Sequence, residues 1–238
     1  MTLMLASVAN LTEACLVAGE QVDFIDCKDP VRGALGALAP DTVREIIATL
    51  RSEGSASRFS ATIGDLPLHP EPVIPAVQAM ALTGVDYVKA GFFPGGDPDG
   101  VIDGLKPLMA AGTRLIAVLF GDDPLDLSLI PRLEAAGFSG VMLDTRDKQR
   151  GSLTRLVAMD TLAAFMAATA KTRLLTGLAG SLRPEDIPAL RVLEPDYLGF
   201  RGALCRGGRT DSLDRERVRQ LRQCLISPLP VPPSGRTP

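Results

Sequence analysis

Short apolar, β-branched runs recur eight times along the chain, at 4–9 (MLASVA), 23–28 (DFIDCK), 58–65 (RFSATIGD), 86–93 (DYVKAGFF), 114–120 (RLIAVLF), 140–145 (GVMLDT), 173–181 (RLLTGLAGS) and 196–204 (DYLGFRGAL). Between them lie stretches with helical spacing, among them DTVREIIATLRSEG, PEPVIPAVQAMALTG, LIPRLEAAGF and MDTLAAFMAATAKT. Near-continuous apolar strands alternating with amphipathic helices predict βα units around a parallel sheet. Local punctuation agrees. Asp41 is a candidate N-cap, Pro184 suits a first helical turn, and Gly54, Gly84, Gly112 and Gly137 follow predicted helix ends.

Eight units of roughly 28 residues each predict an α/β fold, a single (β/α)₈ TIM barrel. An open doubly wound sheet is the competing architecture. It is disfavoured because SVANL, and not a glycine fingerprint, follows the first strand. The expected division is one catalytic domain over 1–225 and a disordered Pro-rich tail over 226–238.

Composition narrows the function. Net charge is −3 and aromatics make up 4% with no Trp, which argues against nucleic-acid partners. No apolar run approaches the ~20 residues of a membrane span, and the four cysteines lack metal or redox spacing. The expectation is a cytoplasmic enzyme without membrane partners, acting on a small molecule. The sequence leaves oligomeric state open, a homo-oligomer included. His69, the single histidine, sits in a proline-rich loop and offers no metal site.

In such barrels the chemistry collects at the C-terminal ends of the strands. Those ends carry Asp26 and Lys28, Thr62 and Asp65, Lys89, then Asp144 with Lys148 four residues on. Of only five lysines, Lys28, Lys89 and Lys148 are aimed at one mouth. Arginine stays protonated, whereas a lysine among other cations loses its proton readily and attacks a carbonyl to form a Schiff base. Asp26 is positioned to orient Lys28. A buried Lys–Asp pair that merely fixes the barrel mouth is the alternative for Lys28 alone. After the last two strands, Gly180, Ser181, Arg201 and Gly202 form a candidate phosphate site built on backbone N–H groups; the alternatives are that the glycines only make tight βα turns and that Arg201 pairs with an acid.

The segments DFIDCKDPVRGALGA, SATIGDLP, DYVKAGFF, VMLDTRDK, LAGSLRPEDIP and GFRGALCRGG, in this order over about residues 3–210, resemble the (5-formylfuran-3-yl)methyl phosphate synthases, also called 4-(hydroxymethyl)-2-furancarboxaldehyde phosphate synthases, of methanofuran biosynthesis. The resemblance implies a TIM barrel that condenses two glyceraldehyde 3-phosphate molecules into a phosphorylated furan aldehyde, losing phosphate and water, with no cofactor. It implies Lys28 as the Schiff-base lysine and Lys89 as the proton acceptor. Asp26 matches the acid before the first lysine, and Asp144 and Lys148 a second acid–lysine pair. Apart from the resemblance, the residues also fit a class I aldolase, a triose-phosphate isomerase type of enzyme, or a non-catalytic phosphate-binding barrel.

Overall fold

The structure is a computed structural model that describes residues 1–228. Its strands are β1 (Leu3–Val8), β2 (Phe24–Cys27), β3 (Arg58–Thr62), β4 (Tyr87–Gly91), β5 (Leu115–Phe120), β6 (Gly140–Asp144), β7 (Leu175–Leu178) and β8 (Tyr197–Phe200). All neighbours pair in parallel, and β8 closes on β1. Seven of the strands fall within their predicted runs, and β1 begins one residue before its own. The helices are α1 (Leu11–Gly19), α2 (Pro40–Ser52), α3 (Pro70–Ala81), α4 (Pro98–Ala110), α5 (Leu129–Ala136), α6 (Leu153–Leu156), α7 (Met159–Thr169), α8 (Ile187–Arg191) and α9 (Arg215–Ile226). The chain is therefore a (β/α)₈ barrel, as its hydrophobic pattern predicts.

Two layers of apolar side chains hold it. The larger lies between strands and helices, where residues such as Ile25, Ala61 and Val88 meet Val43, Ile46 and Val77. The smaller fills the barrel itself, with Leu5, Phe24, Tyr87, Ile116, Val118, Met142 and Tyr197. Phe24 is its hub, 5.1 Å from the Tyr197 ring and 6.2 Å from the Tyr87 ring. Alternation along each strand then sets the next inward layer. Two residues beyond Phe24, Tyr87 and Met142 come Asp26, Lys89 and Asp144. An aromatic floor thus lies directly beneath a layer of charge.

Helix ends follow local chemistry, with one correction. Asn10 caps α1 by accepting from the Glu13 N–H at 3.0 Å, and Gly54, Gly84, Gly112 and Gly137 adopt positive φ after their helices. Asp41 is not the cap of α2. Pro40, with its fixed φ and missing N–H, takes the first helical position, so Ala39 is the N-cap. Pro184 opens a 3₁₀ turn that leads into the short α8. At the C-terminus α9 runs to Ile226, one residue past the expected domain boundary, and the predicted tail from 229 onward lies outside the described residues. Among the described residues no helix is long and apolar enough to cross a membrane.

Candidate active site

Asp26, at the end of β2, is fully buried and accepts three bonds. These come from the Ser7 hydroxyl at 3.0 Å, the Ser60 hydroxyl at 2.7 Å and the Lys89 ammonium at 2.9 Å. The register explains the convergence: Ser7 and Ser60 lie opposite Asp26 on the two neighbouring strands, and Lys89 lies one strand further on. Burial pushes the Asp26 carboxyl up, but the Lys89 and Lys28 cations and the Ser60 hydroxyl outweigh it and hold the group below its usual range.

A second acid–lysine pair stands at the end of β6. Asp144 is 3% exposed and bonds both Lys148 and the Thr145 N–H. Burial raises its carboxyl, and Lys148 and Lys28 bring it below the usual value. Lys148 is placed by its own loop. Asp122, after β5, accepts from the Arg146 and Asp147 N–H groups at 2.7 and 2.9 Å, and Asp123 grips the Arg146 guanidinium twice.

Lys28 stands between these pairs. It is 7% exposed and has no ion pair or side-chain hydrogen bond among the described residues. Burial is the largest influence on its ammonium, the Lys148 charge the next. With Asp144 and Asp26 opposing only in part, its pKa falls to about 7. The expectation that Asp26 orients Lys28 directly is therefore not met. Lys28 lies at the far end of the same extended segment, and the Asp26 carboxylate is taken by Lys89 and two serines. Both pairs act on Lys28 through their charge.

The space around these groups has two parts. A narrow inner pocket of about 50 Å³ is lined by Ser7, Asp26, Lys28, Lys89, Asp144 and Lys148. It adjoins a wide outer cleft of about 790 Å³ bounded by the loops after β7 and β8 and by α9. Lys148, Ser181, Gly202 and Arg209 line both. The backbone N–H groups of Gly180, Ser181, Leu182, Gly202 and Ala203 donate to no protein acceptor among the described residues. Ser181 has φ +47°, and its hydroxyl donates to the Lys148 carbonyl at 3.2 Å.

Gly180, Ser181, Arg201 and Gly202 of the expected anion site all line the inner pocket, but the Arg201 guanidinium is engaged by the protein. Arg201 is 8% exposed and turned back into the protein. Its guanidinium bonds Glu13 twice, the Ser7 carbonyl at 3.2 Å, and the Arg209 and Asp211 carbonyls at 2.9 Å. That uses all five donors of an arginine. Asp65 and Thr62 hold the loop after β2, Asp65 through the Ala34 and Leu35 N–H groups and Thr62 through the Gly36 carbonyl. His69 is exposed and precedes α3. Among the described residues no cluster of three or more His, Cys, Asp or Glu could hold a metal.

A family model of 4-HFC-P synthases matches residues 4–222, which covers every group just described. The chain belongs to the 4-HFC-P synthase family. Among its relatives, a protein of Methylorubrum extorquens is 44% identical over 93% of this chain and 91% of its own length. The protein of Methanothermobacter thermautotrophicus named (5-formylfuran-3-yl)methyl phosphate synthase is 31% identical, over 94% of this chain and 99% of its own. Among solved structures, the phosphoribosyl anthranilate isomerase of Thermus thermophilus has a TM-score of 0.65 at 17% identity, covering 94% of this chain and 98% of its own. That likeness is of the barrel alone. This 4-HFC-P synthase family member is thus an enzyme whose charged layer lies inside the matched region.

Proposed function

We propose that the chain condenses two glyceraldehyde 3-phosphate molecules into (5-formylfuran-3-yl)methyl phosphate through an imine on Lys28, in the biosynthesis of a methanofuran-type carrier. The observation that carries this reading is the state of Lys28. A buried amine with no acid partner, flanked by two lysines that each have one, titrates near neutrality. A nucleophilic amine needs its lone pair free, and these surroundings supply that at ordinary pH.

The steps follow from the groups at hand. The neutral Lys28 amine adds to the aldehyde carbon of the first triose phosphate. Lys89, resting as the ammonium of its pair with Asp26, gives a proton to the carbinolamine hydroxyl, which leaves as water. The iminium so formed withdraws electrons from C2, and the now neutral Lys89 takes the C2 proton. The enamine expels the C3 phosphate, and the C3 carbon so exposed attacks the C2 carbonyl of the second triose phosphate, which a 1,2-proton shift has first turned into the ketone. Closure of that triose's C1 hydroxyl onto C2 of the first and loss of two waters give the furan, and hydrolysis of the imine releases the aldehyde and frees Lys28. Asp144 and Lys148 carry the later proton transfers. Well-placed proton transfers of this kind each contribute roughly 10²–10⁴ in rate.

The two spaces fit this division. The inner pocket is far narrower than the outer cleft, about 50 against 790 Å³, so the reading places the reacting aldehyde inside and the rest of the triose phosphate toward the cleft. The phosphate end then extends toward the free N–H groups of the β7 and β8 loops.

Incubation with glyceraldehyde 3-phosphate, followed by ultraviolet absorbance and mass spectrometry, tests the reading. The expected product absorbs as a furan aldehyde and retains one phosphate. A non-absorbing aldol product would place the chain with class I aldolases, and unchanged substrate would end the proposal.

A further inference from the structure

Arg209 lines both the inner pocket and the outer cleft. It is half-buried, on the loop that follows β8. One of its N–H groups donates to the Gly33 carbonyl, 3.2 Å away on the loop after β2, so the side chain spans the mouth. It forms no ion pair with a carboxylate among the described residues. A guanidinium carries five donors, which leaves four without a protein acceptor among the described residues. Burial is the largest influence on its cation and disfavours it, as does the Arg201 charge, while the Asp144 and Asp65 charges, acting without direct contact, oppose them only in part; its own charge in turn weighs on Lys148. A partly buried, unpaired cation is costly unless an anion completes it.

The surroundings supply donors of the same kind. The outer cleft holds Lys148, Arg183 and Arg217 beside Arg209, against the single carboxylate of Glu185. Glu185 is itself exposed and lies 3.9 Å from Arg183. The free N–H groups of Ser181, Leu182, Gly202 and Ala203 belong to residues lining the same space.

The backbone of Arg209 is fixed from beneath. Arg201 bonds its carbonyl and that of Asp211, and Arg201 is locked in turn on Glu13 of α1 and on the carbonyl of Ser7, whose hydroxyl bonds Asp26. One arginine, with every donor used, thus seats the loop that carries another with most of its donors free.

We propose that Arg209 is a substrate-binding residue that grips the phosphate group of the triose phosphate, with the Arg201–Glu13 pair as its positioning mount, so that this loop selects phosphorylated over unphosphorylated aldehydes. The proposal rests on the triose phosphate reading above. It places the specificity of the inner pocket in an arginine that touches none of the acid–lysine pairs.

Borohydride trapping with two aldehydes tests it, using glyceraldehyde 3-phosphate and unphosphorylated glyceraldehyde. In Arg209→Ala the concentration of glyceraldehyde 3-phosphate giving half-maximal trapping should rise about 10- to 100-fold, the usual range for losing a charge-assisted bond. Trapping by glyceraldehyde should stay as it was, so the preference for the phosphorylated substrate collapses. Arg209→Lys, which keeps the charge without the fork, should recover part of it. Glu13→Gln should shift the same half-maximal concentration and leave glyceraldehyde trapping untouched. An unchanged preference in Arg209→Ala, or equal losses with both aldehydes, would overturn the proposal. Equal losses in Glu13→Gln would reduce that residue to a structural part.

Calorimetric titration with inorganic phosphate separates the two readings. If the unaltered protein traps neither aldehyde, the imine reading fails. Arg209 still stands as an anion-binding residue if phosphate binds the unaltered protein and binds Arg209→Ala at least about tenfold more weakly. Equal binding to both would remove it from that role.

Discussion

The Asp26 carboxylate pairs with Lys89, 2.9 Å away on β4, and not with Lys28, two residues along its own segment. On the imine reading proposed above, that choice of partner is what makes Lys28 the nucleophile. A carboxylate in direct contact favours the ammonium form, whereas burial beside another cation, with carboxylates acting only from a distance, favours the neutral amine. Lys148 is bonded to Asp144, although burial still draws its pKa below the usual lysine value, so Lys28 alone of the three buried lysines has no carboxylate bond among the described residues.

The first prediction is the pH course of imine trapping. With Lys28 titrating at about 7, inactivation by borohydride and glyceraldehyde 3-phosphate should accelerate as pH rises through neutrality and then level off. The labelled peptide should contain Lys28. Lys28→Arg keeps the positive charge but cannot form the imine, and should not be labelled. A label on Lys89 or Lys148 in the unaltered protein would reassign the nucleophile.

Lys28 should also cost the fold stability. Its pKa drops from an unfolded value of 10.5 to about 7, so between these limits the unfolded chain binds more protons than the folded one. Stability therefore rises with pH across that window, and below pH 7 the full penalty applies. The penalty is on the order of a few kcal/mol, at ~1.4 kcal/mol per pH unit. Lys28→Met should unfold at a higher temperature than the unaltered protein at pH 7, and the advantage should vanish above about pH 10. Equal melting curves at pH 7 would show that Lys28 is not desolvated as its burial indicates.

Two glycines at the cleft differ in what they require. Gly180 has φ +114°, and a Cβ there would stand 2.8 Å from the Thr145 methyl carbon. The nearest atom to a Cβ on Gly202 is 3.7 Å away, on the Arg209 side chain. Gly180→Ala should destabilise the protein by about 1–3 kcal/mol, the usual cost of a strained backbone, and raise KM as the N–H groups shift. Gly202→Ala should fold normally and change KM little. Denaturant unfolding and steady-state kinetics on both variants check this. A larger loss in Gly202→Ala would move the critical turn from β7 to β8.

Hydrophobic alternation made the barrel legible, and strand-end position made Asp26, Lys28, Lys89, Asp144 and Lys148 legible as one layer. Pairing was not, because it depends on register across strands far apart in sequence. Asp26 and Lys28 look like partners on paper since they are two residues apart. The partner of Asp26 is found only by stepping through Ser60 on β3 to β4. Ser7 and Ser60 were missed because a serine within a strand carries no chemical signal until a carboxylate lies opposite it. Their inward alternation with Leu5 and with Thr62 was the available clue. Which acid Arg201 meets, and the place of Arg209, were hidden for a related reason. The sequence places both after β8 but does not say that Glu13, at the start of α1, closes against the last strand. Barrel closure creates that contact, and no local pattern announces it.

The last prediction concerns which pair takes the C2 proton. A single Lys89→Met change is ambiguous. It frees the Asp26 carboxylate to act on Lys28, which raises the pKa of Lys28 and slows imine formation for a reason unrelated to proton abstraction. Removing both charges avoids this. In Asp26→Asn/Lys89→Met the layer loses one cation and one anion together, and Lys28 keeps the strongest charge acting on it, that of Lys148. Trapping by borohydride at neutral pH should therefore survive, while exchange of the substrate C2 proton with deuterated solvent should fall by roughly 10²–10⁴, the usual worth of a placed base. Asp144→Asn/Lys148→Met provides the complement. The losses of Lys148 and Asp144 oppose each other on Lys28, with Lys148 the larger, so the trapping profile should move only slightly to higher pH, the trapped enzyme should still exchange C2, and only furan formation should stop. Exchange that persists in the first double variant and disappears in the second would transfer the role of base from Lys89 to the pair on β6.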